Sequence, residues 1–180
     1  MNLFQAFVFG LVQGLTEFLP VSSTAHVIIA GQIMGVSFPG LGFEIFLHLA
    51  SLLAVCVYFR RELAEVIAGF SAYVLFRNPS CKTSFYFGIY ILTATLITAT
   101  AGLWLENLLA GTMKSMLFIS AALSLTGIFL FLVERIRTYG QRMSQDMKLS
   151  DSVAVGLAQT LAVLPGISRS GATLICALWI

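Results

Sequence analysis

Charge is scarce in this chain. Only 10% of its 180 residues are Asp, Glu, Lys or Arg, against the roughly 25% of a soluble domain, while 58% are hydrophobic and the mean hydropathy is +0.94. That balance excludes a water-soluble globule and predicts a bilayer as solvent. A net charge of +2, without a basic stripe interleaved with aromatics, gives no support to nucleic acid as a partner. The three cysteines, Cys56, Cys81 and Cys176, show no CxxC or His-partnered spacing and are expected to be buried, inert thiols. The apolar stretch from Asn2 to Leu19 has no basic flank and is interrupted by Gln13 and Glu17, so a cleaved signal peptide is not expected.

Long apolar segments are present instead. Phe43 to Phe59, Phe85 to Leu105 and Ser115 to Val133 approach the roughly 20 residues needed to cross about 30 Å of hydrocarbon. Glu44 and His48 lie four apart in the first of these, on one helical face that should point into the protein. Leu63 to Phe76 is short and carries Glu65, which predicts an interfacial position. Arg60, Arg61, Arg77 and Lys82 follow the first span, and Arg135, Arg137, Arg142 and Lys148 follow the third. Two crossings separate these clusters, so both fall on one side, the cytoplasmic one by the positive-inside rule, and Glu106 to Lys114 falls outside.

Two further segments break the apolar pattern in the same way. Gly10-Leu11-Val12-Gln13-Gly14-Leu15 runs on to Leu19-Pro20-Val21-Ser22-Ser23, and Gly156-Leu157-Ala158-Gln159-Thr160-Leu161 runs on to Leu164-Pro165-Gly166-Ile167-Ser168. One residue of slippage aligns them. Each reads as a helix that enters, breaks at proline and turns back, and such pairs point to a site in mid-membrane built from an internal repeat. The expected fold is an all-α, polytopic integral membrane protein: a single membrane domain over 1–180, with a first repeat over about 1–110 and an incomplete, inverted second repeat over about 111–180. The broken tips of its two re-entrant hairpins are expected to meet inside the membrane. Gly10 with Gly14, and Gly31 with Gly35, form GxxxG pairs that predict close helix packing.

The chemistry clusters at the breaks. Ser22, Ser23 and Thr24 open one returning helix, and Ser168, Ser170 and Thr173 open the other. Helix N-termini present unpaired N–H groups and the positive end of the dipole, so two of them face to face make an anion site, with phosphate the obvious anion. Arg169 adds an always-charged guanidinium shaped for phosphoryl oxygens. Glu17, one turn after Gln13, would repel phosphate unless a divalent cation bridged the two, which points to Mg2+ or Ca2+ on oxygen ligands. His26, four residues after Ser22 and three after Ser23, has the spacing of an acid or base beside a hydroxyl. Structural readings stand beside these: helix capping by the serines, snorkelling by Arg169, a neutral or Arg-paired Glu17, a structural His26.

With these residues in place the chain resembles the undecaprenyl-diphosphatase family, bacterial integral-membrane enzymes also known as bacitracin-resistance proteins. The family's (Glu/Gln)-x-x-x-Glu motif resembles Gln13 to Glu17, continuing through Pro20, Ser22, Ser23 and His26. Its Pro-Gly-x-Ser-Arg-Ser-x-x-Thr motif is matched by Pro165, Gly166, Ser168, Arg169, Ser170 and Thr173, and Glu44 sits where members carry a glutamate. The resemblance implies hydrolysis of undecaprenyl diphosphate to undecaprenyl phosphate and phosphate. That reaction recycles the lipid carrier of peptidoglycan synthesis and confers bacitracin resistance, in the bacterial plasma (inner) membrane with the site facing outward. By the same resemblance Arg169 clamps the diphosphate and Ser22, Thr24, Ser168, Ser170 and Thr173 bind it. Glu17, with Gln13 beside it, holds the metal or positions water, Ser23 or a water is the nucleophile, and His26 is the acid or base. Family members continue past the second motif, so the chain is expected to be truncated relative to them; a homo-oligomer is left open.

Two other classes compete. A lipid-phosphate transporter or flippase would share broken helices and inverted repeats. An inactive truncated relative would insert without turnover. The type-2 phosphatidic acid phosphatases require a histidine after their Ser-Arg segment, and no histidine follows His48.

Overall fold

Eight α-helices and one 3-10 turn make up the described residues, and no strand occurs among them. The computed structural model describes residues 1–36, 42–109, 115–135 and 146–179, with the backbone alone for 106–109. Arg137, Arg142 and the loop through Lys114, which enter the orientation argument, lie outside the described residues. In chain order the helices are α1 (Leu3–Thr16), α2 (Ser23–Ile33), α3 (Gly42–Tyr58), α4 (Arg60–Phe76), α5 (Lys82–Leu109), α6 (Met116–Arg135), α7 (Leu149–Leu161) and α8 (Arg169–Trp179).

The helices wear their hydrophobicity on the outside. Leu3 is 90% and Leu117 82% exposed, side chains that hydrocarbon solvates and water does not. The stretch Pro79–Leu105 and α6 are each long and apolar enough to cross a membrane. The helices α3 and α4 pass that test only together, and the chain bends by 78° between them. The protein is thus an all-α, multi-pass membrane protein.

Packing inside is local. Phe9 of α1, Val27 of α2 and Leu47 of α3 form a buried cluster, with the Phe43 ring set edge-on to Phe9 at 5.6 Å between centroids. This cluster binds the first hairpin, α1 with α2, to α3. The second hairpin, α7 with α8, leans on α5 and α6. Gly156 of α7 is buried against α5, where an added Cβ would lie 3.0 Å from the Ala94 carbonyl oxygen.

Two expectations change here. Among the described residues Gly10 and Gly14 meet nothing within 4 Å of an added Cβ, and Gly35 ends α2 at φ +64° with open space beside it, whereas Gly31 is buried in α2. Helix contact in this chain depends on Gly156 and its like, whose neighbours approach from another element rather than along a GxxxG face. The segment expected at the interface is α4; it follows α3 across the 78° bend, has no buried residue, and packs on the start of α5, with Phe70 stacked on Phe85 at 5.3 Å and Tyr73 tilted to it at 4.7 Å. Cys56 is exposed on α3, and Cys81 and Cys176 are partly so, because an apolar run in lipid turns side chains outward as readily as inward.

Candidate active site between two broken helices

Both hairpins break where proline interrupts the helix. The α1 helix ends at Glu17, and Val21 N–H donates to the Leu19 carbonyl (2.7 Å) as the chain turns. Ser22 then adopts a left-handed conformation (φ 66°, ψ 89°), unusual for a residue with a side chain, and α2 starts at Ser23. In the second break, turns of the i→i+3 kind carry the chain from Thr160 to Ile167, and Gly166 occupies φ 106°. Only glycine fits there, since an added Cβ would come 2.5 Å from Ala122 Cβ.

The two tips touch. Gly166 N–H donates to Ser22 Oγ (3.1 Å), and Thr126 Oγ1 of α6 donates to the Gly166 carbonyl (2.8 Å). Ser170 Oγ reaches the Leu19 carbonyl (3.4 Å), and an added Cβ on Gly171 would meet Pro20 at 3.4 Å. The Gly166 N–H and carbonyl and the Leu19 carbonyl, freed by the breaks, are therefore satisfied by the other hairpin or by α6, as irregular backbone at membrane depth requires.

Next to the tips lies a cleft with two lobes of about 520 and 600 Å³, and Glu17, His48 and Arg169 line both. The larger lobe adds Thr16, Ser22, Ser23, Thr24, Gln159, Ser168, Ser170 and Thr173; the smaller adds Glu44, Ser51 and the apolar side of α3. One oxygen of Glu17 is the hub. Its Oε2 accepts from Gln13 Nε2 (2.8 Å) and from Ser23 Oγ (2.5 Å), and His48 Nε2 stands 3.8 Å away. A hydroxyl this close to a carboxylate makes a charge-assisted bond and has a proton acceptor in place. Arg169 opens α8 at the cleft, exposed, with no carboxylate within ion-pair reach among the described residues. Glu17 is not its salt-bridge partner, and Arg169 lines both lobes of the cleft.

The expected site residues separate into groups. Glu17, Ser22, Ser23, Thr24, Ser168, Arg169, Ser170 and Thr173 all line one lobe. Gln13 is 1% exposed behind Glu17 and acts on it through its amide. His26 is elsewhere: its Nδ1–H donates to the Ser22 carbonyl (2.8 Å), one helical turn back, and it lines neither lobe. A carbonyl four residues earlier is the nearest acceptor for a histidine inside a helix, and it outcompetes the hydroxyls. The imidazole in the cleft is His48, whose Nδ1–H is held by the Glu44 carbonyl (2.9 Å), leaving Nε2 toward Glu17. Its i,i+4 spacing with Glu44 was the available signal; nothing in the sequence tied it to Glu17. Ser168 caps α8 through Gly171 N–H (3.1 Å), whereas Ser22 makes no cap bond.

The donor set suits a hard cation. The Glu17 carboxylate and Ser23 hydroxyl offer oxygens, and Gln13 Oε1 is a buried acceptor with no hydrogen-bond partner. No group of three His, Cys, Asp or Glu side chains comes together among the described residues, so a cation here would draw most ligands from a bound diphosphate and water, as Mg2+ commonly does.

Fold and cleft define a class: a membrane-embedded protein with a polar cleft between two broken helix hairpins. The family profile of the bacitracin resistance protein BacA matches residues 6–180, and the chain belongs to that family. It is 53% identical over 179 residues to undecaprenyl-diphosphatase 2 of Halalkalibacterium halodurans, covering 99% of this chain and 64% of that protein. Undecaprenyl-diphosphatase 1 of Shouchella clausii is 50% identical over 97% of the chain and 63% of its own length. Undecaprenyl-diphosphatase of Myxococcus xanthus is 38% identical over 97% of the chain and 58% of its own length. The chain thus spans less than two thirds of the length of these relatives.

Proposed function

We propose that this chain carries the catalytic cleft of an undecaprenyl-diphosphate phosphatase, which releases phosphate from the lipid diphosphate and returns undecaprenyl phosphate to cell-wall synthesis. The supporting observation is the opposition, across one cleft, of an unpaired guanidinium on Arg169 and a hydroxyl on Ser23 already bonded to the Glu17 carboxylate. The relatives' shared name supplies the substrate.

In this scheme Arg169 grips the diphosphate in bidentate fashion, and the hydroxyls of Ser170 and Thr24 with the free N–H groups of the α2 and α8 first turns surround it, while Thr173 supports the site with its hydrogen given to the Arg169 carbonyl. Glu17 takes the Ser23 proton as Oγ attacks the terminal phosphorus, the bond to the bridging oxygen breaks, and undecaprenyl phosphate leaves while Glu17 releases that proton to solvent. Water then attacks the phosphoserine, Glu17 takes the water's proton, the Oγ–P bond breaks to free phosphate, and Glu17 returns the proton to Ser23 Oγ. Mg2+ or Ca2+, held by Glu17 with Gln13 behind it, supplies charge neutralisation of the diphosphate when bound. His26 fixes the Ser22 carbonyl at the start of α2, keeping Ser22 and Ser23 in place. The two hairpins are halves of an inverted repeat, and the cleft faces the outer side of the bacterial plasma membrane; the basic residues Arg60, Arg61, Arg77 and Lys82 support that orientation.

Phosphate release from a purified polyprenyl diphosphate is the direct test. Acid-stable phosphate on Ser23 in a rapid quench supports the covalent step. Turnover that survives Ser23→Ala at near-normal rate removes it and leaves water as the attacking group.

A further inference from the structure

The repeat that reveals the two breaks also aligns two glutamines, Gln13 and Gln159, and only the first has been given a role. Gln159 lies on α7, half-buried, and its amide forms part of the wall of the larger lobe. It ties α7 to α8. Gln159 Nε2 donates to Thr173 Oγ1 of α8 (2.9 Å). Thr98 Oγ1 of α5 lies 3.1 Å from Gln159 Oε1, while its one hydrogen has the nearer Ala94 carbonyl (2.9 Å) as an acceptor. Thr173 in turn donates to the Arg169 carbonyl (2.9 Å). Hydrogen bonds thus run from Gln159, through Thr173, to the residue that carries the guanidinium.

The parallel with the first hairpin is specific. There Gln13 Nε2 donates to Glu17, four residues on along the same helix. Here Gln159 Nε2 donates across the break to Thr173, fourteen residues on. In both hairpins the incoming helix supplies an amide that orients the polar group which the cleft presents. The hydroxyl of Thr173 has one hydrogen, committed to the Arg169 carbonyl, so the amide holds that hydroxyl in place from the other side. Fixing Thr173 fixes the first turn of α8, and with it the direction in which Arg169 projects.

We propose that Gln159 is a positioning residue for the phosphate-binding turn of α8, acting through Thr173 on Arg169. This rests on the phosphatase reading given above. A neutral hydrogen bond of this kind is worth up to about a tenfold change in an equilibrium constant, so losing this one should weaken head-group binding by up to about tenfold.

The test uses the whole chain with a short-chain polyprenyl diphosphate as substrate and inorganic pyrophosphate as competitive inhibitor. Gln159→Leu should raise KM and the inhibition constant together by about tenfold, with a smaller change in kcat. Thr173→Val should do the same, and the double variant should be no worse than either single one, because all three break one connection. Thr173→Ser, which keeps the hydroxyl, should recover most of the binding. Should Gln159→Leu not yield folded protein, Gln159→Met keeps the length and loses the donor without adding charge, and the same rise in KM is expected. Unchanged KM and inhibition constant in a folded variant, or effects of Gln159→Leu and Thr173→Val that multiply, would overturn the proposal and leave Gln159 as a tie between helices. A wild-type chain that neither hydrolyses the lipid nor binds pyrophosphate defeats the phosphatase reading itself, and this inference with it.

Discussion

The two broken hairpins solve one problem with different residues. In the first, a serine occupies the left-handed conformation and its hydroxyl is spent on the opposite hairpin, at Gly166 N–H. In the second, a glycine takes the positive φ, and the serine that follows, Ser168, caps its own helix. The first break therefore leaves α2 without a side-chain cap, with Ser23 bonded to Glu17 and not to its own backbone. The second break caps its own returning helix, leans on Ser22 and Thr126 at Gly166, and contributes a charge. What this teaches is a division of labour: one hairpin presents a hydroxyl bonded to a carboxylate, the other presents a guanidinium, and in the proposed function the first reacts while the second receives the anion.

The comparison can be broken most sharply at Arg169. Replacing it with alanine should lower hydrolysis by at least about 100-fold, since a desolvated charge-assisted contact is worth several kcal/mol to the transition state, with membrane insertion retained. Near-normal turnover would show that the second hairpin is not the anion-binding half. Chelation ranks next. EDTA should suppress activity and added Mg2+ should restore it; indifference to EDTA removes the cation and leaves Glu17 solely as a base.

Stability tests sharpen the contrast between the breaks themselves. Gly166→Ala forces a Cβ to within 2.5 Å of Ala122 at a positive φ, and should destabilise by about 1–3 kcal/mol or more, read as a lower thermal midpoint in detergent. Ser22→Ala orphans the buried Gly166 N–H and should cost about 1–3 kcal/mol, while Ser168→Ala removes only a cap, about 1 kcal/mol. An equal loss from both serines would mean that the tips are not coupled as their hydrogen bond indicates.

Much of this site is legible in the linear pattern. Proline inside an apolar run, followed by clustered hydroxyls, marks each break because membrane helices rarely tolerate such residues without a cavity to serve. Glu17 and Arg169 stand out for the same reason. His26 misleads because spacing along a helix brings a ring near a hydroxyl and near a carbonyl at once, and only coordinates show which it bonds. The glycine pairs mislead in a related way, since a small residue permits close approach and cannot say whether a neighbour arrives. His48 stays hidden because its partner Glu17 belongs to another helix.

Composition and the repeated motif were sufficient to establish a bilayer-embedded, all-α chain with two breaks of like chemistry, because hydrocarbon leaves few structures available and makes every polar residue conspicuous. Tertiary structure alone decided that the tips bond through Ser22 and Gly166, that His48 and not His26 shares the cleft with Glu17, and that Gln159 is tied to Thr173. Those are contacts between helices distant in sequence, and they depend on how rigid helices rotate against one another, which no local pattern encodes.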